Sequence, residues 1–315
     1  MGGRRLSAAR GRAMKARLGA ALLAWCLSSV AAAAGEAGTL RWLVQDLPPH
    51  FHYEPGHPPQ TPADLRGSGE IEGFMRLLIA RMPEYRHEFV EAGTSRYELM
   101  SRGGSTLCSL FHLRTPERLE WAYFSHTYPT LVSRQLHAVV RRDNLARVLR
   151  RRDADASLDL GALLQRADLR GLLARDRAYG PHIDDELVRH PLPRLAVGGA
   201  SNRLLDMLRA GRMDYTLEYP SVVDDYLQRV GAPGVLVSVP LQAGISTPLA
   251  TVSCSRTPEG RRAIEAIDAA VRRLAAEPRR EEWLRAWRGP AFDPRDLERL
   301  NRYMDERARG GPRIE

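Results

Sequence analysis

Lysine is almost missing from this chain: Lys15 is the one example, so beyond it every side chain of fixed positive charge is an arginine. Acidic residues are absent from the first 34 positions, and cysteine is scarce, with three in 315 residues. The apolar run at residues 18–30 is too short and too rich in small side chains to span a bilayer. Gly-x-Ser-x-Gly, His-Glu-x-x-His, a P-loop and Cys-x-x-Cys are all missing, which removes the sequence signatures of nucleophile-elbow hydrolases, zincins, P-loop enzymes and dithiol redox or zinc sites. No internal repeat is visible.

The acid-free start has a positive meaning. Arg4, Arg5, Arg10, Arg12, Lys15 and Arg17 precede the apolar run, and alanines fill residues 31–34. This is the layout of a secretory signal peptide over residues 1–34, and it predicts export to the periplasm. Removing those six charges from the formal +9 leaves +3, so the high pI does not point to nucleic acid as a partner. Cys26 departs with the leader. Cys108 and Cys254 then remain in an oxidising compartment and are expected to form one disulfide, the alternative being two buried free thiols. Residues 35–315 are enough for two lobes with cores of their own.

The stretch with the most chemistry is residues 103–142, centred on Thr115-Pro116-Glu117-Arg118. Thr115 reads as a helix N-cap, Pro116 as the first helical residue and Glu117 as a charge on the positive end of the dipole. Arg118 then sits in the first turn beside free backbone N–H groups, a good receiver for a carboxylate. The same residues also suit a capped surface turn with a solvated arginine.

Around this centre the pattern alternates. A strand is expected at residues 40–44, running into Gln45-Asp46-Leu47-Pro48-Pro49-His50-Phe51. A helix carries Phe74, Met75, Leu78, Ile79 and Met82. Shorter elements follow at 88–90, 96–100 and 107–111, then a strand at 136–140. Further on come a helix at 158–164, a strand at 169–174, a turn at 177–180, a helix from Ser201 to Gly211 and a strand at 212–219. Residues 235–239 begin a return, 247–253 form a strand, and Thr257 caps a helix with a stripe at Ile264, Ile267, Val271 and Leu274. Trp283, Leu284 and Trp287 belong to a closing helix. Residues 291–315 read as a charged, peripheral C-terminal tail. Arg150-Arg151-Arg152 reads as a solvated helix face, or as a surface for anionic lipid or a partner. His50, His52 and His57 lie in a Pro-rich loop without a further ligand, so neither metal nor other cofactor is expected.

Alternating strands and helices argue an α/β fold with ligand at the carboxyl ends of strands. The order Thr-x-x-Arg, then Phe124-Ser125, then Tyr128-Pro129, then a strand, resembles the extracytoplasmic solute-binding proteins of family 3, the polar amino acid binders. Their F-S-x-P-Y has its last two residues transposed here. Asp46 and Phe51 match the family's D-x-x-P-x-F; Gly69, Gly73 and Phe74 match G-x-x-x-G-F; Leu208, Gly211, Arg212 and Asp214 match L-x-x-G-R-x-D. The resemblance spans about residues 40–290. It implies a two-lobed periplasmic-binding-protein type II fold with a ligand cleft between lobes: residues 35–140 and 241–290 in lobe 1, residues 141–240 in lobe 2.

The resemblance also implies a site. Arg118 would bind the ligand carboxylate with help from Thr115; Asp46 and Phe51 would form one wall; Tyr179 and Glu218 would close from lobe 2. The departures are specific. Leu113 and Phe111 replace small hydroxyl residues, and Tyr219 stands where an aspartate usually meets the α-ammonium, with Glu218 beside it. A carboxylate-bearing ligand with a bulkier or less cationic remainder fits better than an ordinary α-amino acid. The implied protein is a monomer that binds such a solute and delivers it to an inner-membrane ABC permease. The alternatives are a sensor domain read by another protein and, on the same scaffold, a periplasmic enzyme such as a dehydratase, for which Glu218 and His126 are the only acid–base pair to nominate.

Overall fold

The computed structural model describes residues 37–67, 69–129, 135–149, 157–191, 194–197, 201–242, 249–289 and 294–315. The expected leader, Cys26 and Arg150-Arg151-Arg152 lie outside the described residues.

Strand β1 (Ala37–Val44) is apolar on both faces because both are covered: Trp42 and Val44 enter one core, Leu43 another. Helix α1 (Glu70–Ala80) starts at Gly69, where a Cβ would lie 2.1 Å from the His50 carbonyl oxygen. That carbonyl accepts the N–H groups of Ile71 (3.0 Å) and Glu72 (3.3 Å), so only glycine lets the loop cap the helix this closely. Next come β2 (Tyr85–Glu91), α2 (Thr94–Arg102), the short β3 (Cys108–Ser109), a 3₁₀ turn (Arg118–Glu120) and β4 (Ala122–Pro129). The middle of the chain supplies β5 (His137–Arg141), α3 (Leu145–Val148), α4 (Leu160–Leu164), β6 (Gly171–Ala174), α5 (Pro181–Arg189) and β7 (Leu195–Val197). It continues through α6 (Ser201–Arg209), β8 (Tyr215–Glu218), α7 (Pro220–Arg229) and β9 (Leu236–Pro240). The chain closes with β10 (Leu249–Ser255), α8 (Pro258–Ala276), α9 (Arg280–Arg288) and α10 (Pro294–Arg309).

Two mixed sheets result, ordered β2-β1-β3-β10-β4 and β7-β6-β8-β5-β9. The chain leaves the first sheet after β4, enters the second at β5, and comes back between β9 and β10. The outgoing and returning strands are antiparallel neighbours in both sheets, β4 with β10 and β5 with β9. Each sheet has a core on either face. Phe74, Leu78, Ile264, Ile267, Val271 and Leu284 pack one face of the first, while Tyr97, Trp121 and Phe124 pack the other. Cys108 and Cys254 face each other across β3 and β10 and form a disulfide.

Residues 294–309 correct the expectation of a peripheral tail. Helix α10 puts Leu300, Tyr303 and Met304 into the first core, and Arg307, wholly buried, pairs with buried Asp268 of α8 at 2.7 Å. Past it, Glu315 exchanges backbone hydrogen bonds with Phe124 on the β4 edge. The stripe was hidden among charges, one of which is neutralised inside the protein. Among the described residues no helix is long and apolar enough to cross a membrane.

Candidate functional site

A cavity of about 220 Å³ opens between the two sheets. Its first-sheet side is built by the loop after β1 (Gln45, Leu47, His50), the start of α1 (Glu70) and the residues after β3 (Phe111, His112, Arg118). Its second-sheet side is the carboxyl ends of β6 and β8: Arg175, Arg177, Glu218 and Tyr219. A larger cavity, about 830 Å³, lies on the other side of Arg118 and is lined by Thr115, Glu117, His126, Asp176 and Asp184. Arg118 and Arg177 border both.

Arg118 is positioned by its own turn. The Thr115 hydroxyl oxygen accepts the Arg118 N–H at 3.2 Å, and the expected first helical turn is a 3₁₀ turn. The guanidinium is 8% exposed. It donates to the Leu113 carbonyl at 2.9 Å and, across the cleft, to the Asp176 carbonyl at 3.1 Å. Among the described residues no carboxylate lies within ion-pair distance of it. Burial lowers its pKa from the ordinary arginine value, the mark of a cation short of compensation. Asp176 also accepts from the Ser95 hydroxyl at 2.5 Å and holds a left-handed φ of 61°, so this loop of the second sheet is tied to α2 and Arg118 together.

Glu218 lines the smaller cavity, but its carboxylate is occupied. Arg177 donates to both oxygens, at 2.6 and 2.9 Å, and the Tyr219 N–H adds a third bond at 2.9 Å. The Arg177 guanidinium lies over the rings of Tyr179 (5.0 Å) and Tyr219 (5.5 Å). Burial alone would lower the Arg177 pKa; Glu218 outweighs that and raises it. Tyr179 is thus a support behind Arg177 and not a lining residue: it is 5% exposed, and its hydroxyl oxygen accepts the Ala174 N–H at 2.8 Å.

The structure also moves the expected wall. Phe51 is fully buried, behind Phe111, with ring centres 5.5 Å apart, and Phe111 is the one that lines the cavity. Asp46 is not part of the cavity lining and pairs with His52 at 2.8 Å on the surface. The three loop histidines separate: His50 lines the cavity and meets the Tyr219 ring edge-on across the cleft, His52 takes Asp46, and His57 bonds the Pro55 carbonyl. Thr115 lines the larger cavity as well as holding Arg118.

Several lining residues escaped the sequence reading, among them Glu70, Arg175, Arg177 and His112. Arg177 was legible only as part of a turn. His112 is 3% exposed, its Nδ1 hydrogen-bonds the Ser109 hydroxyl at 2.7 Å, and its ring packs on the Tyr97 ring. Its Nε2 has no hydrogen-bond partner among the described residues. Burial, and then the Arg118 charge, push its pKa down to about 3, so it is neutral near pH 7. His126, the other half of the nominated acid–base pair, borders the larger cavity and faces Glu315 at 3.5 Å, whereas Glu218 is engaged with Arg177.

No known protein family and no curated protein matches the sequence. Solved structures do match. An ancestral arginine-binding protein bound to arginine is 15% identical; the match covers 81% of this chain and 100% of that one, with a TM-score of 0.58. The periplasmic VFT2 domain of BvgS from Bordetella pertussis is 17% identical over 85% of this chain and 97% of that one, TM-score 0.55. An amino acid ABC transporter substrate-binding protein from Streptococcus pneumoniae bound to L-arginine is 14% identical over 87% and 97%, TM-score 0.52. The chain shares their fold, an α/β architecture in two lobes of the type II periplasmic-binding kind.

Proposed function

We propose that this chain is an extracytoplasmic binding protein that captures a small carboxylate-bearing solute between its lobes and presents it to an inner-membrane transporter. The observation that carries the reading is Arg118: a nearly buried guanidinium with only carbonyl partners, in a turn that caps on Thr115, facing a cavity bordered by both sheets. An arginine fork in such a place recognises a carboxylate through paired, charge-assisted hydrogen bonds. The bond from Arg118 to Asp176 and the bond from Ser95 to the same residue give closure a physical form: they exist when the lobes meet and are absent when they part. Binding needs no cofactor and no catalytic group; His126 and Glu218 border different cavities, one beside Glu315 and the other in the Arg177 fork, which gives the acid–base pair of an enzyme reading no support. Export by the N-terminal leader, action as a monomer and delivery to an ABC permease belong to the same proposal.

Likeness to the BvgS domain supports a second reading, in which closure is sensed by another protein. Both readings need the same anchor. Arg118→Ala is expected to abolish ligand-induced thermal stabilisation while shifting the melting temperature of the unliganded protein little; a ligand at a hundred times its Kd contributes about 2.7 kcal/mol. Large destabilisation with binding retained would make the arginine structural.

A further inference from the structure

The charges lining the smaller cavity separate into two kinds. Both carboxylates are already paired with arginines. Glu218 is held by the Arg177 fork at 2.6 and 2.9 Å, and Glu70 pairs with Arg288, the two side chains being 5% and 4% exposed. Two arginines lining the same cavity have only carbonyls as partners among the described residues: Arg118 of the first lobe, and Arg175, whose side chain reaches the Ala196 carbonyl at 3.4 Å. Arg175 follows the carboxyl end of β6, where its backbone N–H is fixed by the Val197 carbonyl at 2.8 Å. The cavity therefore holds two arginines without an ion-pair partner among the described residues, one from each lobe, and each of its two carboxylates faces an arginine.

We infer that the solute is a small dicarboxylate without an ammonium group, one carboxylate held by Arg118 and the other by Arg175. An α-ammonium needs an acceptor with unused capacity, and Glu218, the residue placed to supply it, has both oxygens committed to Arg177 and one also to the Tyr219 N–H. The cavity volume, below the usual range for drug-sized ligands, fits a short diacid. The larger cavity suits it less, since five carboxylates border that side against three arginines, Arg114, Arg118 and Arg177.

This inference rests on the proposed anchoring role of Arg118, and the test separates the two. Binding of succinate, glutarate, butyrate and glutamate to the purified protein is measured by titration calorimetry at low ionic strength, with wild type, Arg118→Gln and Arg175→Gln. Glutarate and glutamate differ by the ammonium alone; succinate and butyrate differ by the second carboxylate. Diacids are expected to bind at least tenfold tighter than butyrate, and glutarate tighter than glutamate. Arg175→Gln, a change at an exposed side chain, is expected to erase the preference for succinate over butyrate while leaving butyrate within about threefold. Arg118→Gln is expected to lose all four. Butyrate equal to succinate in wild type, glutamate tighter than glutarate, or a diacid preference that survives Arg175→Gln would each overturn the inference while leaving the carboxylate anchor standing. No binding of any of the four acids to wild type would overturn both.

Discussion

A histidine ring sealed beside an arginine resists protonation, and His112 is such a ring. In the unfolded chain it titrates near 6.5; in the fold its pKa is held down to about 3 by burial first and by Arg118 second. As pH falls below 6.5 the unfolded state takes up a proton that the native state refuses, so stability is lost on acidification. The loss from this residue proceeds at up to about 1.4 kcal/mol per pH unit and stops near pH 3. Urea unfolding of wild type and His112→Phe between pH 7.5 and 4.5 measures it: the wild-type curve should fall more steeply, with the difference confined to pH below 6.5. Parallel curves would mean that His112 charges in the native state. The turn that holds Arg118, the proposed anchor, was legible because capping is local: Thr115, Pro116 and Glu117 announce it within four residues. Arg177 was not, because what gives it meaning is remote, and His112 was not, because its burial is set by elements packed around it and not by its neighbours in sequence. Glu218 is 41 positions from Arg177, and no spacing rule reaches that far.

Helix α10 illustrates how a charged segment becomes an internal element. Asp268 accepts from Ser125, Arg307, Arg272 and the Arg313 N–H; burial alone would raise its pKa, and the Ser125, Arg307 and Arg313 donors outweigh it and lower it. Removing Arg307 leaves buried Asp268 with Arg272, at 3.1 Å, as its remaining ion partner. Arg307→Met is expected to cost roughly 3 kcal/mol, the low end for breaking a buried pair, and adding Asp268→Leu should restore part of it, less the bonds Ser125, Arg272 and Arg313 lose. A loss under about 1 kcal/mol in the single variant would mean that water reaches the pair. Denaturant unfolding of the three variants decides. Elements with one exposed face were readable, as α8 was from Ile264, Ile267, Val271 and Leu274. Strand β4 was not, since its residues are buried on both faces and show no alternation. Helix α7 was also overlooked, although Pro220 at its first turn and the Val222, Val223, Tyr226, Leu227 spacing mark it in retrospect.

For the molecule as a whole, the feature with the longest reach is the Cys108–Cys254 bond, whose partners are 146 positions apart. In the chain-entropy account a loop of that size is worth about 4–5 kcal/mol, and often less in practice. Calorimetry with and without reductant, or of a Cys108→Ala, Cys254→Ala double variant, should show a lower melting temperature with the two-lobed fold retained. An unchanged transition would place the constraint elsewhere. The division into lobes was legible because motifs on both sides of the crossing matched one pattern in order. The docking of α10 was not, because a tail rich in arginine and glutamate looks solvated until its partner is found.

The same bond has a topological consequence. The whole second sheet lies between the two cysteines, so the second lobe is a ring closed on the first by sulfur. A protease that cuts the second lobe once produces no separate pieces: the nicked protein keeps its full mass under non-reducing conditions and parts into two fragments only when thiol is added. The second lobe is thereby secured against the loss of a single peptide bond.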